Sequence, residues 1–205
     1  MTDVRTLALA APQRADSAHR NRSFDGIIRP RAAIDFEKLT PQSGTSIMLI
    51  RFTRLSNDRH RFEIVRDDGT RESQELETRS ALLHDLAHYA VEVEAGLMES
   101  FYGRLAKGLT YDELTTTPQT PEAMQTERIV VLVQNMYKTG HAIGTTPEEE
   151  AQRIAAGFES TDSKPPSWLT ADLISRVRER LRRVQGRWRA TPFHRAMELD
   201  FPTGK

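Results

Sequence analysis

Two periodicities divide the chain. From Ile47 to Leu76 the apolar residues suit strands; beyond Ser80 they recur every three or four positions. Ile47-Met48-Leu49-Ile50-Arg51-Phe52-Thr53 is β-prone and bounded by polar turn residues, which predicts a strand. Residues 59–66 predict a second, with Phe62 and Ile64 on one face. Asp67-Asp68-Gly69-Thr70 predicts a tight turn, because Gly69 readily takes positive φ. Residues 71–76 return as a third, mostly polar strand, suited to a protected sheet edge.

On a helix starting at Ser80, Leu82, Leu86, Tyr89, Val93 and Leu97 fall within about 80° of arc, a core face. Gly96 is a natural residue to follow the last helical turn, which ends this helix near Ala95 and starts a shorter one over 98–107. The rival is one helix running to Lys107, with Gly96 costing it about 1 kcal/mol. Thr110-Tyr111-Asp112-Glu113 fits a capping box for a single turn. Pro121 behind Thr120 opens a helix to about Thr139, whose centre, Ile129-Val130-Val131-Leu132-Val133, predicts burial on all sides. Thr146-Pro147-Glu148-Glu149 opens another to about Gly157. Leu169, Thr170 and Ile174 make a hydrophobic staple for a last long helix carrying Ile174, Val177, Leu181, Val184 and Trp188.

The fold expected is therefore α+β: a small N-terminal antiparallel meander of about three strands, then four or five packed helices. One domain spans 45–200. Residues 1–44, rich in Arg, Ala, Pro, Ser and Asp, are expected as a loosely ordered arm, with 26–30 a short extended piece that docks on the body. The chain after Pro192 is expected as an irregular segment packing through Phe193 and Phe201, with 201–205 a tail.

Composition narrows the function classes. The 205 residues carry 29 basic and 29 acidic side chains, so no global field draws the chain to a polyanion. There is no cysteine, which excludes disulfides, thiolate zinc sites and cysteine nucleophiles and suits a cytoplasmic location. No apolar run reaches the roughly 18 residues of a membrane span. No Gly-x-Ser-x-Gly elbow appears, and Gly140-His141-Ala142-Ile143-Gly144 lacks the ending of a phosphate loop.

Chemistry concentrates in Leu83-His84-Asp85-Leu86-Ala87-His88-Tyr89-Ala90-Val91-Glu92. Measured around the helix from His84, His88 falls at about 40°, Glu92 at about 80° and Asp85 at about 100°. Two imidazoles one turn apart can share an ion, so His84, His88 and Glu92 are candidate metal ligands, for zinc or another divalent metal. Asp85 and Glu92 are the candidate catalytic carboxylates. Three ligands on one straight helix close poorly around a tetrahedral ion, and Glu127 and His141 are alternatives from elsewhere. The competing readings of the same face are a structural hydrogen-bond network and a plain solvated surface. His84-Asp85-Leu86-Ala87-His88 resembles the His-Glu-x-x-His motif of zinc metalloproteases with Asp in place of Glu. The resemblance implies a general base at Asp85, one methylene short. The wider segment, to about residue 108, is similar to a helix of bacterial proteins without an assigned activity and implies no mechanism.

The last helix holds Arg176, Arg178, Arg180, Arg182, Arg183, Arg187 and Arg189 against Asp172 and Glu179. The arginines flank the apolar stripe on both sides, as stems covering apolar surface do, with Glu148-Glu149-Glu150 a ready partner. Self-association through the 170–189 helix is the lesser expectation, and nucleic-acid binding the least. Two functions follow. The first is a small divalent-metal-binding protein with hydrolase chemistry on the His84/His88 helix. The alternative is a non-enzymatic interaction or regulatory module using the arginine-rich helix.

Overall fold

A computed structural model describes residues 46–140 and 144–203. The arm at 1–44, the extended piece at 26–30 and His141 lie outside the described residues. The elements are β1 (Ile47–Arg54), β2 (Arg59–Val65), β3 (Arg71–Glu77), α1 (Leu83–Ala95), α2 (Phe101–Ala106), α3 (Tyr111–Thr116), α4 (Pro121–Lys138), α5 (Pro147–Glu159), α6 (Ala171–Ala190) and β4 (Ala196–Pro202). The architecture is α+β: an antiparallel sheet with helices on one face.

The sheet has four strands, in the order β3-β2-β1-β4, not three. The extra strand is the segment expected to be an irregular tail. Ala196-Met197-Glu198-Leu199-Asp200-Phe201-Pro202 alternates strictly, with Met197, Leu199 and Phe201 buried. It pairs antiparallel with β1 through Met48↔Phe201, Ile50↔Leu199 and Phe52↔Met197. On its other side β1 meets β2 through Ile50↔Ile64 and Phe52↔Phe62. In a three-stranded meander the apolar β1 would be an edge; β4 covers it and leaves the polar β3 and the alternating β4 outermost. Phe201 packs inside as expected, whereas Phe193 is exposed. The outer face of the sheet is polar, with Arg51 2.9 Å from Glu198 and 3.6 Å from Glu63.

Gly96 settles the first helix. Its φ of 66° is left-handed, so α1 stops at Ala95 and the chain turns into the loop before α2. A π-helical turn over Thr78–Leu82 leads into α1. The two capping boxes form as their sequences require, at Thr110/Glu113 and Thr146/Glu149, and Thr120 and Thr170 accept from the backbone three residues on. The buried central helix is α1, not α4: α1 packs on α6, α4, α2 and β4. In α4, Ile129, Val130 and Val133 are buried, but Val131 is 38% exposed.

Most of the arginine-helix charges are matched locally. Arg176 and Arg180 both hold Glu94 of α1, Arg176 also pairs with Asp172, and Arg178 lies 3.6 Å from Glu150. Arg182 and Arg183 flank Glu179, and Arg187 donates to the Glu198 carbonyl. The stripe Ile174, Val177, Leu181, Val184 and Trp188 is buried in the core, where α6 packs on α1 and α5.

One histidine belongs wholly to the core. His60 faces inward from β2 beside Phe52 and Trp188, with ring centroids 5.9 and 6.0 Å away. Its Nδ1 is 3.3 Å from Thr78 Oγ1, and Nε2 has no partner. Burial, aided by the neighbouring Arg59 charge, pushes its pKa down to about 4.

Two outcomes follow for the fold. Leu199→Ala removes a buried side chain from β4 and costs about 2–4 kcal/mol in urea unfolding; a loss below about 1 kcal/mol would mean that β4 contributes little to the core. Folded His60 resists protonation, whereas the unfolded chain takes up a proton near pH 6.5. Stability attributable to this residue is therefore intact above pH 6.5 and is lost as pH falls toward 4. His60→Gln should flatten that part of the stability–pH curve by an amount on the order of 2 kcal/mol; parallel curves for the two proteins would contradict it.

Candidate metal centre

The centre of the site is a carboxylate sealed in the protein. Glu92, on the third turn of α1, has 0% exposure. Its Oε1 lies 2.9 Å from His88 Nδ1, one turn earlier on the same helix. Its Oε2 accepts from the backbone N–H of Tyr102 at 2.8 Å and of Gly103 at 3.2 Å. Those N–H groups open α2 and have no partner within that helix. Ser100, in the capping position, makes no side-chain cap bond. Glu92 does the capping from another helix.

This needs the 96–103 segment to fold back tightly on itself. A Cβ on Gly103 would stand 2.4 Å from the Met98 Cα, so only glycine fits there. Tyr102, fully buried beside Phe62, Phe101 and Phe201, donates its hydroxyl to the Asp85 carbonyl at 3.2 Å. The loop is thereby fastened to α1 at two levels.

Held from behind at Nδ1, the His88 ring presents Nε2 to Glu127 of α4, 2.9 Å from its Oε2. The other oxygen of Glu127 is 3.7 Å from His84 Nε2. The two histidine rings stand edge to face with centroids 4.7 Å apart. His84, His88 and Glu127 offer ligand atoms that all lie within 4.8 Å of one another, a group that could hold a metal ion. A tetrahedral zinc with bonds of about 2.0–2.1 Å sets its ligands roughly 3.3 Å apart. The separations of 2.9 and 3.7 Å run to the two different oxygens of Glu127, and the set as a whole spans up to 4.8 Å, so an ion would draw the three side chains closer together.

The third member of the group is Glu127, on a second helix, α4. Glu92, expected among the ligands, lies on the far side of the His88 ring. It orients the imidazole, as carboxylates behind metal-bound histidines do. Spacing along one helix places Glu92 near the histidines but cannot show which ring nitrogen it meets. Glu127 lies far along the chain from His88, in another helix, and no local pattern selects it.

Electrostatics separate the two rings. Burial opposes charge on His88, but hydrogen bonds to Glu127 and Glu92 outweigh it and raise its pKa to about 9. Both neighbours are acceptors only, so both ring nitrogens donate and the metal-free ring is an imidazolium. His84, half-buried, is shifted the other way by desolvation and by the nearby His88 charge. It is neutral at pH 7, the form that ligates metals. The His88 hydrogen bond holds the Glu127 carboxyl low against the opposing effect of burial. Asp85 is buried, its Oδ2 has no partner, and desolvation lifts its pKa to about 7 against the attraction of His88.

No protein-family model, no curated protein and no solved structure matches the chain. Among the described residues, no helix is long and apolar enough to cross a membrane.

Replacing Glu92 isolates its role. Glu92→Gln keeps one acceptor oxygen for the Tyr102 and Gly103 N–H groups but turns an amide N–H toward His88 Nδ1, removing the anionic partner of the imidazolium, so stability at pH 7 should fall by about 1–3 kcal/mol. The His88 pKa, followed by NMR of its ring, should drop by about a unit or more toward its ordinary value. An unchanged His88 titration would show that Glu92 does not govern the ring.

Proposed function

We propose that the chain is a divalent-metal-binding protein, with His84 and His88 of α1 and Glu127 of α4 as ligands, and zinc as the ion the donor set suits best. The observation that carries this is the bridging of both Nε2 atoms by one carboxylate, with His88 aimed from behind by buried Glu92. Two imidazoles and one carboxylate leave a fourth position for water, the arrangement of open, reactive zinc sites. To hold an ion, His88 would give up its Nε2 proton, and the Glu127 carboxylate would balance the ion's charge in place of the imidazolium's.

The chemistry we propose is hydrolysis. A divalent ion held by His84, His88 and Glu127 would supply an acidified water. Asp85 follows His84 directly, responds to the charges of His88 and Glu127, and has a pKa close to neutrality. It is the carboxyl suited to take the proton that such a water gives up. Glu92 acts as a positioning residue.

The alternative, an interaction or regulatory module on the arginine-rich helix, has less support. Arg176, Arg178, Arg180, Arg182 and Arg183 are paired to carboxylates of the same chain.

The test is direct. Protein purified without a histidine tag should carry zinc, or take up about one equivalent on titration, with a thermal upshift of about 5 °C or more at saturating ion. Glu127→Ala and the double variant His84→Ala/His88→Ala should lose both effects, while Glu148→Ala should keep them. Less than about 0.1 metal per chain, with no uptake on titration, rules the proposal out.

A further inference from the structure

A small cavity of about 60 Å³ opens beside the metal centre, lined by His88 and Glu127 on one side and by Ser100, Arg104 and Gln119 among its other walls. Its most unusual member is Arg104. This residue is 6% exposed, yet its guanidinium has no ion pair and no side-chain hydrogen bond among the described residues. Other arginines with little exposure are matched: Arg66 by Glu72 and two carbonyls, Arg178 by Glu150, Arg180 by Glu94. A charge so little exposed and without a partner is unfavourable unless something balances it, and the Arg104 nitrogens keep only slight contact with solvent.

A second polar group in the same wall is also unpartnered. Ser100 Oγ is fully buried and has no hydrogen bond. The backbone groups a serine in this position would cap are taken by Glu92, so the hydroxyl has nothing of its own chain to bind. Two donor residues, Arg104 and Ser100, therefore border one partly open space, and neither side chain is hydrogen-bonded to the acceptors in the same wall, Glu127 and Gln119.

We propose that this cavity is an oxyanion subsite, in which Arg104 and Ser100 hold the carboxylate or phosphate group of a small substrate. A guanidinium presents paired N–H groups that match two oxygens of such an anion, and the serine hydroxyl can donate to a third contact. The space is several times what one water needs and admits a group of a few heavy atoms, not a nucleoside. The subsite shares its walls with two of the three proposed metal ligands. An anion anchored there would place the rest of its molecule toward the ion; that part of the inference rests on the metal reading, whereas anion binding does not. Glu127 repels an anion unless its charge is neutralised, by the imidazolium in the metal-free protein or by the ion in the loaded one. Metal should therefore strengthen anion binding, never weaken it.

Acetate and inorganic phosphate, titrated separately into the isotope-labelled full chain at low salt, test this. One series uses chelator-treated protein and the other zinc-loaded protein. At least one anion should give saturable NMR shifts of the Arg104 side-chain N–H and the Tyr102 and Gly103 amides, and which one binds identifies the group recognised. Arg104→Gln should weaken that binding about tenfold or more, with Arg104→Lys intermediate, while zinc affinity stays within about twofold of wild type. Ser100→Ala, the gentler change, should weaken it about threefold. No saturable binding of either anion in both series overturns the proposal, as does wild-type affinity in Arg104→Gln or, should that variant not fold, in Ser100→Ala. Anion binding that is lost in Arg104→Gln, in a protein that takes up no zinc, would sustain the subsite and sink the metal centre instead.

Discussion

Everything around the candidate site depends on where one buried carboxylate, Glu92, directs its two oxygens. One holds the back of the His88 ring; the other holds the backbone that opens α2. A carboxylate removed from water is tolerable only when its lone pairs are filled by donors in good geometry. Glu92 meets that demand with an imidazole and two main-chain N–H groups. Those three bonds tie together α1, the turn after Gly96 and the first turn of α2. The site on the open side of His88 inherits its geometry from this arrangement.

The glycines show how narrowly the loop is set. Gly96 must take a left-handed conformation to end α1, and Gly103 must lie against the Met98 backbone at a distance no side chain permits. Neither touches the histidines. Together they deliver the N–H groups that Glu92 needs, and they leave Ser100 beside the cavity with its capping role already filled.

The two buried histidines illustrate how the same burial gives opposite results. His60 and His88 are both removed from solvent. His60 has aromatic neighbours, a hydroxyl and a nearby arginine, so desolvation wins and the ring is neutral. His88 has a carboxylate at each nitrogen, so hydrogen bonding wins and the ring is charged. Burial sets the stakes and the partners set the sign.

Local rules made much of this protein legible from its residues. Strand propensity bounded by polar turn residues marked β1, a one-face apolar pattern marked β2, the Asp-Gly turn joined β2 to β3, and Thr-Pro-Glu and Thr-x-x-Glu marked helix starts, because each depends on close neighbours in the chain. The helical spacing of His84 and His88 was legible for the same reason. The alternation of Met197, Leu199 and Phe201 was there to be seen, but its meaning as a strand depends on β1, near the other end of the described chain, having an unpaired edge. Which face of α1 is covered, which nitrogen of His88 meets Glu92, and that Glu127 completes the group all depend on how α4 and α2 pack against α1. Those contacts join residues far apart in the chain, and a buried polar group acquires its charge and its role from them, so no spacing along a single helix could have decided the matter.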